Sequence, residues 1–162
     1  MGYTVKGLEL ADIDRLIEFV LPYAAESLYG KFLTADIATC KETFTSVVLC
    51  PDDAQGYIVM DENGKFVATA VVVLGSSFFK GQEGDVEFFY VSPECRGTGA
   101  ARLLVSTLVD YAKLHELNVL HAGCHSGFTD DGKNDKLFSN LFRKFRFRFT
   151  GHNLHFIPSL EK

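Results

Sequence analysis

With 162 residues, 47% of them hydrophobic, the chain is the size of one ordinary domain, 1–162, and can bury a core without disulfides or metals to hold it. A net charge of -5 disfavours a general nucleic-acid binder, because neutralising phosphates takes a basic surface, and no apolar run approaches the roughly 20 residues of a membrane span. The start MGYTVKGLEL lacks the basic residues and long apolar stretch of a signal peptide, and Cys40, Cys50, Cys95 and Cys124 form no CxxC pair, so the expectation is a soluble, cytoplasmic protein with reduced thiols.

Residues 3–10 make a strand-like start. Asp12 is the expected cap of a helix whose Ile13, Leu16, Ile17 and Val20 recur at helical spacing, with Pro22 as its stop. A second helix follows the cap candidates Thr34 and Asp36 and buries Ile37, Cys40, Phe44, Val47 and Val48. Residues 57–60 and 66–74 are strand-forming and flank Asp61-Glu62-Asn63-Gly64-Lys65, whose Asn-Gly pair supplies the positive φ angles of a tight hairpin. A loop over 75–84 leads to a strand over 85–91, which Ser92-Pro93-Glu94 ends. Over 99–114, Ala101, Leu104, Leu108, Tyr111 and Ala112 share one helix face, with Arg102, Ser106, Asp110 and Lys113 opposite. Residues 118–123 suit a buried strand, which makes 85–123 a right-handed parallel β-loop-α-β unit. After a polar loop at 126–133, the stripe Leu137, Phe138, Leu141, Phe142 and Phe145 predicts a last helix, then a closing hairpin of 147–149 with 154–157. The basic run from Arg143 to Arg148 reads as a solvated helix end and strand edge rather than a phosphate track.

Chemistry concentrates at Arg96-Gly97-Thr98-Gly99-Ala100-Ala101. Backbone N–H groups at a helix start point outward unpaired, and the helix dipole adds partial positive charge, so a glycine-containing turn there cradles phosphate. Gly97 and Gly99 let the backbone approach a ligand, Arg96 adds a fixed positive charge, and small Ala100 and Ala101 keep the opening clear. A P-loop needs Gly-Lys-Ser/Thr where Ala100-Ala101-Arg102 stands, and a dinucleotide fingerprint needs a small residue where Arg102 sits.

The remaining pattern, Arg96-x-x-Gly99-x-Ala101 directly after Phe88-Phe89-Tyr90-Val91-Ser92-Pro93-Glu94, resembles the acyl-CoA motif of the GNAT superfamily of N-acetyltransferases, and the resemblance extends over most of the chain. Residues 24–27 with 97–101 are most similar to small phage and prophage members. The resemblance implies an α/β fold: a mixed, largely antiparallel sheet with helices on both faces, splayed around an acyl-CoA cleft between the strands at 85–91 and 118–123. It also implies that acetyl-CoA (coenzyme A) is a co-substrate, its pantetheine arm on the main chain of Phe89, Tyr90 and Val91 and its pyrophosphate on the N–H groups of 96–101. Two positions depart from the family pattern. Phe142 and Arg146 stand where a tyrosine and a glycine are usual, so the hydroxyl that protonates the departing thiolate and the glycine helix cap are missing, while Asp135 replaces an asparagine.

Asp85 and Glu87 are two apart on a strand, hence expected on one face with Phe89 and Val91, and either is a candidate to take a proton from an amine. Asp85 also suits a solvated strand start; Glu87, deeper in the apolar run, is preferred. His121, Cys124, His125, His152 and His155 have no spacing that fixes four metal ligands, and Cys95 has no general base for nucleophilic work, so the expectation is no metal and direct transfer. The acceptor, a small-molecule or protein amine, is not legible; the acidic chain leans toward cationic amines. A homodimer is among the assemblies the sequence allows, and nothing selects one. The rival expectation is a non-catalytic CoA-binding or phage accessory member of the same fold.

Overall fold

The computed structural model describes residues 2–26, 34–75, 81–123 and 133–148. Strand β1 (Thr4–Gly7) leads through a 3-10 turn (Leu10–Asp12) into α1 (Ile13–Glu26); α2 (Ile37–Leu49) follows, then β2 (Ala54–Met60), β3 (Phe66–Gly75), β4 (Glu83–Val91), a 3-10 turn (Pro93–Cys95), α3 (Ala100–Leu114), β5 (Val119–Ala122) and α4 (Lys133–Arg143). The five strands lie in the order β1-β2-β3-β4-β5, antiparallel up to β4, with β5 parallel to β4. The expected mixed, mostly antiparallel sheet is therefore present, and 85–123 folds as the parallel β-loop-α-β unit.

Helices cover both faces. Ile13, Leu16, Ile17 and Val20 of α1 and Phe44 and Val47 of α2 bury one face with Ile58, Val71 and Tyr90 of the sheet. Ala100, Leu104, Leu108 and Tyr111 of α3 bury the other with Val59, Ala70, Val72, Val86 and Val91. Strand β3 is buried on both sides, which is why its sequence runs continuously apolar instead of alternating.

Local expectations meet five corrections. The strand expected to be buried over 118–123 forms β5, but Val119 and His121 are exposed. Asp12 is not the helix cap: it ends the leading 3-10 turn, where its carboxylate accepts the Glu9 N–H (3.1 Å) and the Lys6 ammonium (2.7 Å). Pro22 does not stop α1 but sits inside it, exposed, four residues before its end. Ile37 and Leu137 lie outside their expected stripes, at 54% and 57% exposure, and the buried face of α3 includes Ala100 and Val105, with Ala101 and Ala112 at its margin. In the Asp61–Lys65 turn only Gly64 takes positive φ (74°), Asn63 does not, and the Asp61 carboxylate accepts the N–H groups of Asn63 and Lys65 (both 2.9 Å). Asp36 caps α2 as expected, accepting from Ala38 (3.0 Å) and Thr39 (3.3 Å), and these bonds hold its carboxyl below the usual range, that from the Thr39 hydroxyl most. The proposed closing hairpin, apart from Phe147 and Arg148, lies outside the described residues.

Candidate functional site

The register of β4 explains the shape of the site. Its first four residues pair with β5, from Glu83 opposite Val119 to Val86 opposite Ala122; beyond Val86 no β5 residue pairs with it among the described residues. On its other edge, β3 pairs Val72 with Val86 and Val71 with Phe88, so Glu87 is an extra residue, a β-bulge. Pairing between β4 and the described residues of β5 therefore ends next to the bulge.

The bulge overturns the expectation that Asp85 shares a face with Phe89 and Val91, and it leaves Glu87 without a partner in the β3 register. Phe89 and Val91 pack toward α3, whereas Asp85 pairs with Val73, a residue of the α1/α2 face, together with Phe88 and Tyr90. One extra residue shifts the two-residue alternation by one, which sequence spacing cannot register. Glu87 and Asp85 are both exposed.

Peptide directions in the second half of β4 follow from one bond. The Ser92 N–H donates to Val67 O (3.0 Å), and peptide groups alternate edges along a strand, so Phe89 and Val91 turn theirs toward the β5 edge, where no described residue pairs with them. Val91 O already accepts from Arg96 Nε (3.1 Å), which lays the arginine stem across the strand end. Tyr90 turns its peptide to β3 and its ring toward Phe19 (5.2 Å between centroids), away from the opening.

The turn at 96–101 leads directly into α3, where the sequence places it. Gly97 and Gly99 adopt φ of 83° and 116°, the left-handed region, and a Cβ at either would meet nothing within 4 Å, so conformation rather than crowding requires glycine. Gly99 is the N-cap of α3. Two of the six residues use their N–H groups internally: Arg96 donates to Pro93 O and Thr98 to Cys95 O, both at 3.3 Å. The N–H groups of Gly97, Gly99, Ala100 and Ala101 have no acceptor among the described residues, and they stand at the positive end of a 15-residue helix. Ala100 has its methyl fully buried in the core, so only its main chain faces the cradle. Lys65 Nζ reaches Glu94 Oε1 (3.0 Å) beside the turn; the Glu94 carboxyl is held below its usual range by its own backbone N–H first and by Lys65 next.

Phe142 is 3% exposed, its ring against Phe89 (5.4 Å), Phe138 (4.3 Å) and Phe147 (5.0 Å). The aromatic ring is thus a core element behind the opening. The left-handed cap survives without glycine: Arg146 takes φ of 71°, Arg146 N–H bonds Arg143 O (3.0 Å) and Phe147 N–H bonds Phe142 O (3.4 Å).

Two placements escaped sequence reasoning. Tyr3 donates from its hydroxyl to Thr98 Oγ1 (2.8 Å), joining the first strand to the phosphate turn across 95 residues of sequence. His121 lies opposite Asp85 in the parallel register with its Nε2 3.4 Å from Glu83 Oε2. Neither had a local signal, because both depend on strand pairing. Among the described residues no group of three or more His, Cys, Asp and Glu side chains is placed to hold a metal, and no helix is long and apolar enough to cross a membrane; Cys124, His125, His152 and His155 lie outside the described residues.

A helix N-terminus with open N–H groups and two left-handed glycines stand beside the half of β4 that pairs with no described residue of β5, an arrangement chemically suited to an anionic, extended ligand. Residues 17–130 match the acetyltransferase (GNAT) family, and the chain belongs to it. No curated protein matches the chain. Among solved structures, it is similar to an integron cassette protein from the mobile metagenome of Cole Harbour Salt Marsh (17% identity, TM-score 0.75, covering 94% of this chain and 88% of that one). It is also similar to glucosamine-6-phosphate N-acetyltransferase from Arabidopsis thaliana (18%, 0.69, 98% and 99%) and to a predicted acetyltransferase from Clostridium acetobutylicum solved with acetyl-CoA (18%, 0.67, 99% and 99%). At these identities the likeness is one of fold.

Proposed function

We propose that the protein transfers an acetyl group from acetyl-CoA to an amine by direct attack. The observation that carries this reading is the turn at 97–101, where two left-handed glycines expose four N–H groups at the start of α3. In this reading the cradle takes the pyrophosphate and the main chain of Phe89 and the Val91 N–H, on the half of β4 that pairs with no described residue of β5, take the pantetheine arm. Arg96 supplies the positive charge beside the phosphates.

The acceptor nitrogen bonds to the acetyl carbon, the carbon–sulfur bond breaks, and CoA leaves as its thiolate, which takes a proton from water to become the free thiol. The proton lost by the amine goes to a carboxylate, Glu87 at the bulge or Asp85 two residues before it, directly or through water. Backbone N–H near Val91 polarises the carbonyl. A thiol with pKa about 8.5 is a tolerable leaving group without a phenolic acid, so phenylalanine at 142 is compatible with turnover.

The test is ligand-induced stabilisation, since a ligand selective for the native state raises the melting temperature by mass action. Acetyl-CoA raises it in the wild type. Gly99→Glu abolishes the rise, because the substitution puts a side chain and negative charge in the cradle; unchanged CoA affinity in a folded Gly99→Glu protein would falsify the site. An acceptor panel read out as free thiol then includes an amino sugar phosphate, as in the plant neighbour's name, along with peptide N-termini and polyamines.

The buried Phe142 ring, standing where the family has its hydroxyl, favours a second reading: a CoA-binding protein of the same fold without transferase activity. Tight CoA binding with no thiol released across the panel selects it. An origin among phage or prophage members rests on sequence resemblance, and a cytoplasmic location on composition.

A further inference from the structure

The phosphate turn contains two glycines in left-handed conformation, the residues with most backbone freedom to lose, so something must hold it in shape before a ligand arrives. Thr98 sits between them. Its hydroxyl is 2.6 Å from Cys95 O, and a carbonyl only accepts, so the single hydroxyl proton of Thr98 goes there. The Thr98 N–H donates to the same oxygen at 3.3 Å. Thr98 therefore has no donor left for a phosphate, and the contact of Tyr3 with Thr98 Oγ1 at 2.8 Å has Tyr3 as donor. The Tyr3 ring is half-buried against the core beneath α3, and the next residue, Thr4, begins β1 in register with Met60 of β2. The hydroxyl is thus fixed to the sheet rather than carried on a loose side chain.

We infer that Tyr3 is a positioning residue for cofactor binding, acting through Thr98: its hydroxyl fixes the Thr98 hydroxyl on Cys95 O and so pre-forms the turn that takes the pyrophosphate of CoA. This rests on the acetyl-CoA reading above. Pre-forming the turn removes ordering cost from the binding step, so the effect belongs in CoA affinity.

The experiment is a double-mutant cycle read as CoA dissociation constants by calorimetry, on wild type, Tyr3→Phe, Thr98→Val and the pair, with Thr98→Ser as the conservative variant. Tyr3→Phe keeps the ring and removes one hydrogen bond; the expected loss is roughly three- to tenfold in affinity, the range of one net hydrogen bond. Because Tyr3 acts only through Thr98, the pair binds no more weakly than Thr98→Val alone, and Thr98→Ser restores the affinity that valine loses. A residue that serves stability alone shifts the ligand-free melting temperature without this coupling in CoA affinity. Wild-type affinity in Tyr3→Phe, or additive losses in the pair, overturns the inference while leaving the acetyl-CoA site standing. If the wild type itself takes up no CoA and behaves as Gly99→Glu does, the site and the inference fall together.

Discussion

Glu87 and Asp85 are chemically alike and two positions apart, yet the bulge gives them different surroundings. Asp85 faces the α1/α2 side, opposite His121 and across the sheet from Phe89, whereas Glu87 is the bulged residue, just past the last pair of β4 with the described residues of β5. A base for an incoming amine belongs where that pairing ends, so Glu87→Gln is expected to lower turnover by roughly 10²–10⁴-fold at neutral pH with CoA affinity nearly intact. Asp85→Asn is the comparison: a large loss there alone moves the role to Asp85, and no loss in either shows that the amine arrives neutral. Phe142 behaves differently, since three rings surround it. Phe142→Ala is expected to cost about 3–5 kcal/mol of stability, the range for removing a buried aromatic side chain, measurable as a shift in urea midpoint at constant slope.

Helix ends carry a shared device. Both α3 and α4 close with paired bonds in which a non-glycine residue takes the left-handed position: Glu116 (φ 52°) with Leu117 N–H on Ala112 O at 2.9 Å, and Arg146 (φ 71°) with Phe147 N–H on Phe142 O at 3.4 Å. The left-handed conformation costs an L-residue about 1–2 kcal/mol, and glycine returns about half of that through its freer unfolded chain. Glu116→Gly and Arg146→Gly are each expected to stabilise the fold by up to about 1 kcal/mol, read by thermal or urea unfolding; a destabilisation at either site means its side chain makes up more than the strain. Pro22 shows the opposite balance. Its missing N–H and ring clash cost about 3 kcal/mol inside a helix, yet α1 continues through it, because Ile13, Leu16, Ile17 and Val20 anchor the helix to the sheet ahead of the proline.

Across the whole molecule, the aromatic packing beneath α3 sets an alkaline limit. Burial pushes the Tyr57 phenol up to about 12, with the neighbouring Tyr111 adding to it, and burial raises Tyr111 as well. In the unfolded chain a tyrosine loses its proton near pH 10, so between about pH 10 and 12 unfolding releases protons. The raised folded value means that stability is fully present below about pH 10 and declines as pH rises toward 12. Tyr57→Phe is expected to make that decline shallower, measured as urea midpoints across the alkaline range; an identical slope in the variant removes Tyr57 as its source.

The sequence by itself determined where most helices and strands lie and that a two-glycine turn leads into α3, because these are local: apolar residues at 3.6 or 2.0 spacing choose helix or strand, while the α/β fold class came from the family resemblance. It also marked Phe142 as apolar where a hydroxyl is usual. What the tertiary structure decided is everything that depends on pairing between distant segments. The extra residue at Glu87 is visible only against the register of β3, and it reverses which face Asp85 shares. Thr98 reads from sequence as one more donor in the cradle; its bonds to Cys95 O and Tyr3 make it the fastener of the turn. Alternation along a strand and propensity along a helix are properties of neighbours in sequence, whereas register and hydrogen-bond partners are set by which segments the core brings together.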